Sequence, residues 1–126
     1  MVAVSTKINR PSHVVWQYFT TASNWRKWYG SALKEINPAW QHGAKLVWDS
    51  GGTSPIITFL PGAEIGLSIA GRDTTFVFSP EGNSITNLKL TEADPPGGPQ
   101  GSDGLKRKVE LEEMLRNLRL RVEAET

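Results

Sequence analysis

The side chains able to do chemistry are few and scattered. The chain has two histidines. His13 falls among apolar residues of a predicted first helix, and His42 falls in a turn before a strand. No His-Glu-x-x-His spacing exists, and the absence of cysteine excludes thiolate ligands, thiolate nucleophiles and disulfides, so no metal site is expected. His42 could act as a general base, although a solvated turn histidine is the plainer reading. No Gly-x-Ser-x-Gly elbow supports an acyl-transfer serine. Gly97, Gly98, Gly101 and Gly104 crowd together, but Pro96 and Pro99 interrupt them and no Gly-Lys-Ser/Thr follows. That segment reads as a loop, placed so that it could gate a pocket, and not as a phosphate cradle. Asp49, Glu64 and Asp73 sit at strand ends or opposite apolar rows, as solvated charges do. One of them turned inward could act on a bound molecule. Arg72 beside Asp73 reads as turn chemistry rather than as an anion clamp. No catalytic residue and no cofactor is assigned.

The aromatic residues are the richer signal. The chain holds five Trp, four Phe and two Tyr. Rigid aromatic faces suit either a core or the wall of an apolar cavity. Trp25 and Trp28 are three apart and share one helical side, which either packs on a sheet or forms a lip at an entrance. Tyr29 would add a polar handle there.

The elements that must position these residues follow from periodicity. Val2, Val4, Thr6 and Ile8 share one face of an extended segment, so residues 2–9 are predicted as a strand. Pro11 opens a helix through about Thr20, with Val15, Trp16, Tyr18 and Phe19 on its apolar side. A second short helix is predicted around Ser23 to Tyr29, ended by Gly30. Six further strands are expected at Ala32 to Asn37, Ala44 to Asp49, Pro55 to Leu60, Glu64 to Ala70, Thr74 to Ser79 and Ser84 to Glu92. Short Gly-, Pro- and Asn-containing links make them an antiparallel meander. Ala93 to Gly104 is a loop. From Asp103 onward Leu111, Met114, Leu115, Leu118 and Val122 form one face of a final helix. A curved sheet of about seven strands with one apolar face needs a cover, and only this helix is long enough to supply it. A gap lined by inward side chains can remain between them.

Composition narrows the functional classes. At 126 residues the chain is read as one domain over residues 1–126. Fourteen basic residues against 13 acidic ones create no broad field for nucleic acid or an anionic membrane. The N-terminal residues alternate like a strand and lack a signal core, no stretch has the apolar length to span a bilayer, and a cytoplasmic setting is expected. Mixed charges on the last helix, from Lys106 to Arg121, read as a salt-bridged exposed face.

Several segments resemble a known superfamily. Ile8-Asn9-Arg10-Pro11-Ser12-His13-Val14-Val15-Trp16 looks like its first strand-to-helix junction. Asn24-Trp25-Arg26-Lys27-Trp28-Tyr29 resembles the tryptophan-rich piece that follows. Trp40 and Gly43-Ala44-Lys45-Leu46-Val47-Trp48 are similar to the third-strand signature. Pro61-Gly62-Ala63-Glu64-Ile65 resembles the turn into the fifth strand, Ser84 to Glu92 the seventh strand, and Leu115 to Glu123 the end of the closing helix. Together they resemble the SRPBCC (START-like, Bet v 1-like) superfamily, near the chaperone-ATPase-activator homology domain and the polyketide cyclases. One departure is that Leu105 to Lys108 stands where a tryptophan is often found. The resemblance implies an α+β helix-grip fold, with two short helices after the first strand and a pocket for a small apolar or amphipathic molecule between sheet and last helix. The expected lining is Trp16, Trp25, Trp28, Tyr29, Trp48, Phe59, Leu67, Ile69, Phe76, Phe78, Leu88, Met114, Leu115 and Leu118. A cyclase- or dehydratase-like enzyme and a protein-interaction module stay open as alternatives, and so does a homodimer through a sheet edge or the aromatic lip.

Overall fold

The computed structural model describes residues 2–20, 24–25, 28, 33–37, 44–48, 51–69, 72–93 and 102–126. The chain runs β1 (Val2–Ile8), α1 (Ser12–Thr20), β2 (Leu33–Asn37), β3 (Lys45–Trp48), β4 (Thr53–Leu60), β5 (Glu64–Ile69), β6 (Arg72–Glu81), β7 (Ile85–Glu92) and α2 (Ser102–Glu125). Of the predicted second short helix, Asn24, Trp25 and Trp28 are described and are helical. The strands form one antiparallel sheet in the order β1-β7-β6-β5-β4-β3-β2. A meander from β2 to β7 is thus completed by β1, which returns to the edge beside β7.

Alternation sets the inner face. Val2, Val4 and Ile8 of β1 stand in register with Glu92, Leu90 and Thr86 of β7. Thr74, Phe76 and Phe78 of β6 pair with Glu92, Leu90 and Leu88. Ile65 and Leu67 of β5 pair with Phe76 and Thr74. All of these side chains are buried. Strand β4 breaks the rule: its register against β5 shifts between Ile56 and Thr58, so that Ile56 faces Leu67 and Phe59 faces Ile65. Such a bulge inserts one extra residue and reverses the parity beyond it. Ile57 is left exposed, and both Ile56 and Phe59 turn inward.

The turns have local causes. Ala63 N–H donates to the Leu60 carbonyl at 2.9 Å. Pro61 and Gly62 fill the corners, and Gly62 has φ 77°, the left-handed value that a type II turn requires at that corner. Strand β6 runs past the predicted end at Ser79 and includes Pro80. Phe78 N–H points toward the β5 side, where it donates to Ala63 O at 2.8 Å. Pro80, two residues on, faces the same way beyond the end of β5, so its missing donor leaves no ladder bond unmade.

Helix α2 buries Leu111, Leu115, Leu118 and Val122 against the sheet, with Met114 half-buried beside them. Its C-terminal end is tied down by the β1–α1 junction. Arg10 donates to the Glu123 carbonyl at 2.7 Å and to Thr126 Oγ1 at 2.9 Å, and Asn9 N–H donates to Glu123 Oε2 at 2.9 Å. Arg10 is a poor cap for its own helix, yet it satisfies a terminal carbonyl of the other one, where a cation is favoured by the helix dipole. Tyr18 Oη donates to Glu125 Oε1 at 2.5 Å.

Burial, then the hydrogen bond to Glu125, pushes the Tyr18 phenol up from 10.0 to about 12. The folded chain therefore holds this proton more tightly than the unfolded one. The stabilisation is complete below pH 10.0 and is lost as pH rises toward about 12. In an ultraviolet titration Tyr18 is expected to ionise late, and Tyr18→Phe should delete that late component and cost about 1 kcal/mol of stability. A titration unchanged by the substitution would contradict the assignment.

Candidate functional site

Helix α2 does not lie evenly across the strands. Its backbone approaches β1 far more closely than any other strand. Side chains, not backbone, must bridge to β4, β5 and β6. At one end that bridge is aromatic. Phe19 of α1 is its hub, with ring centroids 5.5 Å from Trp25, 4.8 Å from Trp28, 4.9 Å from Phe76 and 4.8 Å from Phe78. Most of these pairs meet edge-on, the arrangement ring quadrupoles favour. Trp16 adds an edge contact to Phe78 at 5.1 Å and a tilted one to Phe59 at 5.7 Å.

The expected lining residues therefore divide into groups. Trp25, Trp28, Leu67, Phe76, Phe78, Leu88, Leu115 and Leu118 are buried in the core. Trp25 and Trp28, at 0% and 4% exposed, are core residues and do not stand as a lip. Trp28 also donates its indole N–H to the Tyr18 carbonyl at 2.9 Å. Trp48 is buried too, its indole N–H donating to Ser54 Oγ at 2.8 Å. Trp16, Phe59 and Met114 pack on the core while keeping some accessible surface. Among the described side chains, those three, from α1, β4 and α2, are the expected lining residues that are only partly buried. Tyr29 lies outside the described residues, as does the side chain of Ile69. Of the other candidates, His13 is exposed on α1, Asp73 is exposed on β6, and Asp49 and His42 lie outside the described residues. Trp28 and, from the C-terminal half of α2, Asn117, Leu120, Arg121 and Ala124 line an open hollow of about 450 Å³.

The opposite end of the inner face is polar. Glu92 closes β7 with its side chain only 4% exposed. Arg107, from the first turns of α2, grips it with Nε at 2.8 Å and Nη2 at 2.9 Å. Two parallel N–H···O bonds of this kind are the strong form of the Arg–carboxylate pair. Arg72, at the start of β6, reaches the same oxygen through Nη1 at a looser 3.3 Å. Burial opposes ionisation of Glu92, but the bonds and charge of Arg107, with a smaller share from Arg72, hold its carboxyl below the usual carboxylate range. Thr74, opposite Glu92 in the β6–β7 register, is buried and its hydroxyl has no hydrogen-bond partner. A hydroxyl left so costs roughly 1–3 kcal/mol.

Sequence reasoning missed this cluster although parity signalled it. Glu92 continues the row Thr86, Leu88, Leu90, and Arg72 precedes the row Thr74, Phe76, Phe78. The turn reading of Arg72 is corrected accordingly: it lies within the strand, on the face that α2 covers.

A curled antiparallel sheet of seven strands clasped by one long C-terminal helix is the α+β helix-grip architecture. Solved structures share it. A START superfamily protein from Mycobacterium smegmatis aligns with TM-score 0.68 at 15% identity, covering 99% of this chain and 98% of that one. An AHSA1-like protein from Aeromonas hydrophila aligns with TM-score 0.67 at 13% identity, covering 97% and 92%. DynU16, from the dynemicin biosynthetic locus, aligns with TM-score 0.75 at 17% identity over 97% of this chain, which spans 46% of that one. The chain thus has the START-like fold that its resemblance to SRPBCC proteins implied. No protein-family model and no curated protein matches it. Among the described residues no helix is long and apolar enough to cross a membrane.

Proposed function

We propose that this chain is a START-like domain that holds a small apolar or amphipathic molecule between the sheet and α2. The observation that carries the reading is the stand-off of α2, which rests close to β1 and leaves β4, β5 and β6 to be bridged by side chains alone. Trp16, Phe59 and Met114, from three different elements, pack on the core and are only partly buried. A flexible thioether such as Met114 adapts readily to a guest. The fold, shared with a START superfamily protein and with a protein of the dynemicin locus, supports the same reading. The lack of cysteine is compatible with the cytoplasm as its setting.

The inward carboxylate, Glu92, favours binding over proton-transfer catalysis. A general base works best with a pKa near the operating pH. Glu92 is held in the other direction and is engaged by Arg107 at both oxygens.

The test is native mass spectrometry together with tryptophan fluorescence against a panel of fatty acids, sterols and aromatic polyketides. Saturable binding at one molecule per chain is expected. A panel without a single saturable member would end the proposal.

A further inference from the structure

Resting on that reading, we infer that Arg72 and Thr74 form the docking point for a carboxylate head, so that the ligand is an amphipathic organic acid. The arginines around Glu92 carry a surplus of donors. Glu92 is satisfied on both oxygens by Arg107 at 2.8 and 2.9 Å. Arg72 adds one long bond of 3.3 Å to an acceptor that is already filled. A guanidinium has five N–H donors in a planar fork suited to a carboxylate. Most of the Arg72 fork is therefore uncommitted, and its side chain, 37% exposed, is reachable from outside. Two residues along the same face of β6 stands Thr74, only 3% exposed, with an unpartnered hydroxyl. Buried hydroxyls without a partner are uncommon and point to an acceptor the protein itself does not provide.

Charge selects the class of acceptor. Arg72 and Arg107 place two positive charges against the single buried negative charge of Glu92. Glu110, the other partner of Arg107, is half-exposed on the solvent side. Arg107 is thus shared between two carboxylates, while Arg72 keeps most of its donors in a partly desolvated place, where an anion is bound more strongly than in water. A monoanionic carboxylate fits this balance. One of its oxygens takes the Arg72 fork and the other accepts from Thr74 Oγ1. The remainder of the molecule, apolar by the same reasoning, then enters the space beneath α2.

Calorimetry with decanoate and with decanol, two probes sharing one tail, separates head from tail. The wild type is expected to bind decanoate at least tenfold more tightly than decanol, as charge-assisted hydrogen bonds warrant. Arg72→Gln should erase most of that preference, decanoate affinity falling far more than decanol affinity. Thr74→Val, of nearly equal shape, should reduce decanoate affinity several-fold by itself. Thermal melts of both variants establish that they are folded. If both probes bind and the preference for decanoate survives in both variants, or was never there, the docking point is wrong and the binding function stands. If neither probe, nor any other member of the lipid panel, binds the wild type, the binding function falls and the docking point with it.

Discussion

Phe19→Ala is expected to lower the unfolding free energy by about 3–5 kcal/mol, the range for removing a fully buried phenylalanine. Phe19 is 0% exposed and touches four other aromatic rings. Its ring joins α1, the helical residues Trp25 and Trp28, and strand β6. Truncation deletes one half of four ring pairs at once and leaves a hole that rigid indoles cannot close. Domains of this size have roughly 5–15 kcal/mol in total, so the loss is a large share of the stability of the fold. Urea titration followed by tryptophan fluorescence measures the loss. Phe19→Leu, which keeps most of the volume, should cost less than half as much. A loss below about 1 kcal/mol for the alanine variant would show that the aromatic cluster is not the centre of the core.

Arg107→Met is expected to be comparably severe, by roughly 3–5 kcal/mol near neutral pH. Methionine keeps the aliphatic stem but leaves the Glu92 carboxylate, 4% exposed, with Arg72 at 3.3 Å as its remaining partner among the described residues. The pH dependence identifies the cause. In the wild type the Glu92 carboxyl lies below its ordinary value of 4.5. The folded state therefore gives up this proton more readily than the unfolded state. The pair stabilises fully above pH 4.5 and its contribution disappears as pH falls through the folded value. In Arg107→Met this depression should weaken, because burial opposes ionisation and only the looser Arg72 remains to offset it. Acid should then narrow the gap between variant and wild type. Adding Glu92→Gln should recover much of the loss at neutral pH. A penalty that stays constant from neutral pH to acid would show that packing of the Arg107 stem, and not the ion pair, was lost.

The two substitutions mark the boundary of what can be read from a linear sequence. The strands were legible because side chains alternate with period two, and Val2, Val4, Ile8, Phe76, Phe78, Leu88 and Leu90 keep that period without interruption. The last helix was legible for the analogous reason, its stripe from Leu111 to Val122 repeating at three and four. The bulge in β4 was not. Nothing in Thr53 to Leu60 announces an extra residue, and its position is decided by pairing with Ile65 and Leu67 across the turn. The spacing of Trp25 and Trp28 places them on one side of a helix, but whether that side meets the core or the solvent depends on where Phe19 arrives. Glu92 and Arg72 share the parity of apolar rows. A charge at a strand end is ordinarily solvated, and only the arrival of Arg107 from beyond the loop makes the inward direction tenable.

Helix α2 is fastened by unlike means at its two ends. Near its C-terminus it is held by Arg10, Asn9 and Tyr18, through bonds that include the main chain and a phenol. Near its N-terminus, among the described residues, the polar fastening is the Arg107–Glu92 pair. The helix is in mechanical terms a lever whose pivot lies at the C-terminal end, where Leu118 and Val122 are also fully buried. Its N-terminal arm carries Leu105 and Val109, both largely exposed and contributing little apolar grip. Amide protons over residues 105–110 should accordingly exchange faster than those over 118–124, and Arg107→Met should accelerate the first set while sparing the second. The two ends of α2 should therefore answer differently to the loss of a single ion pair.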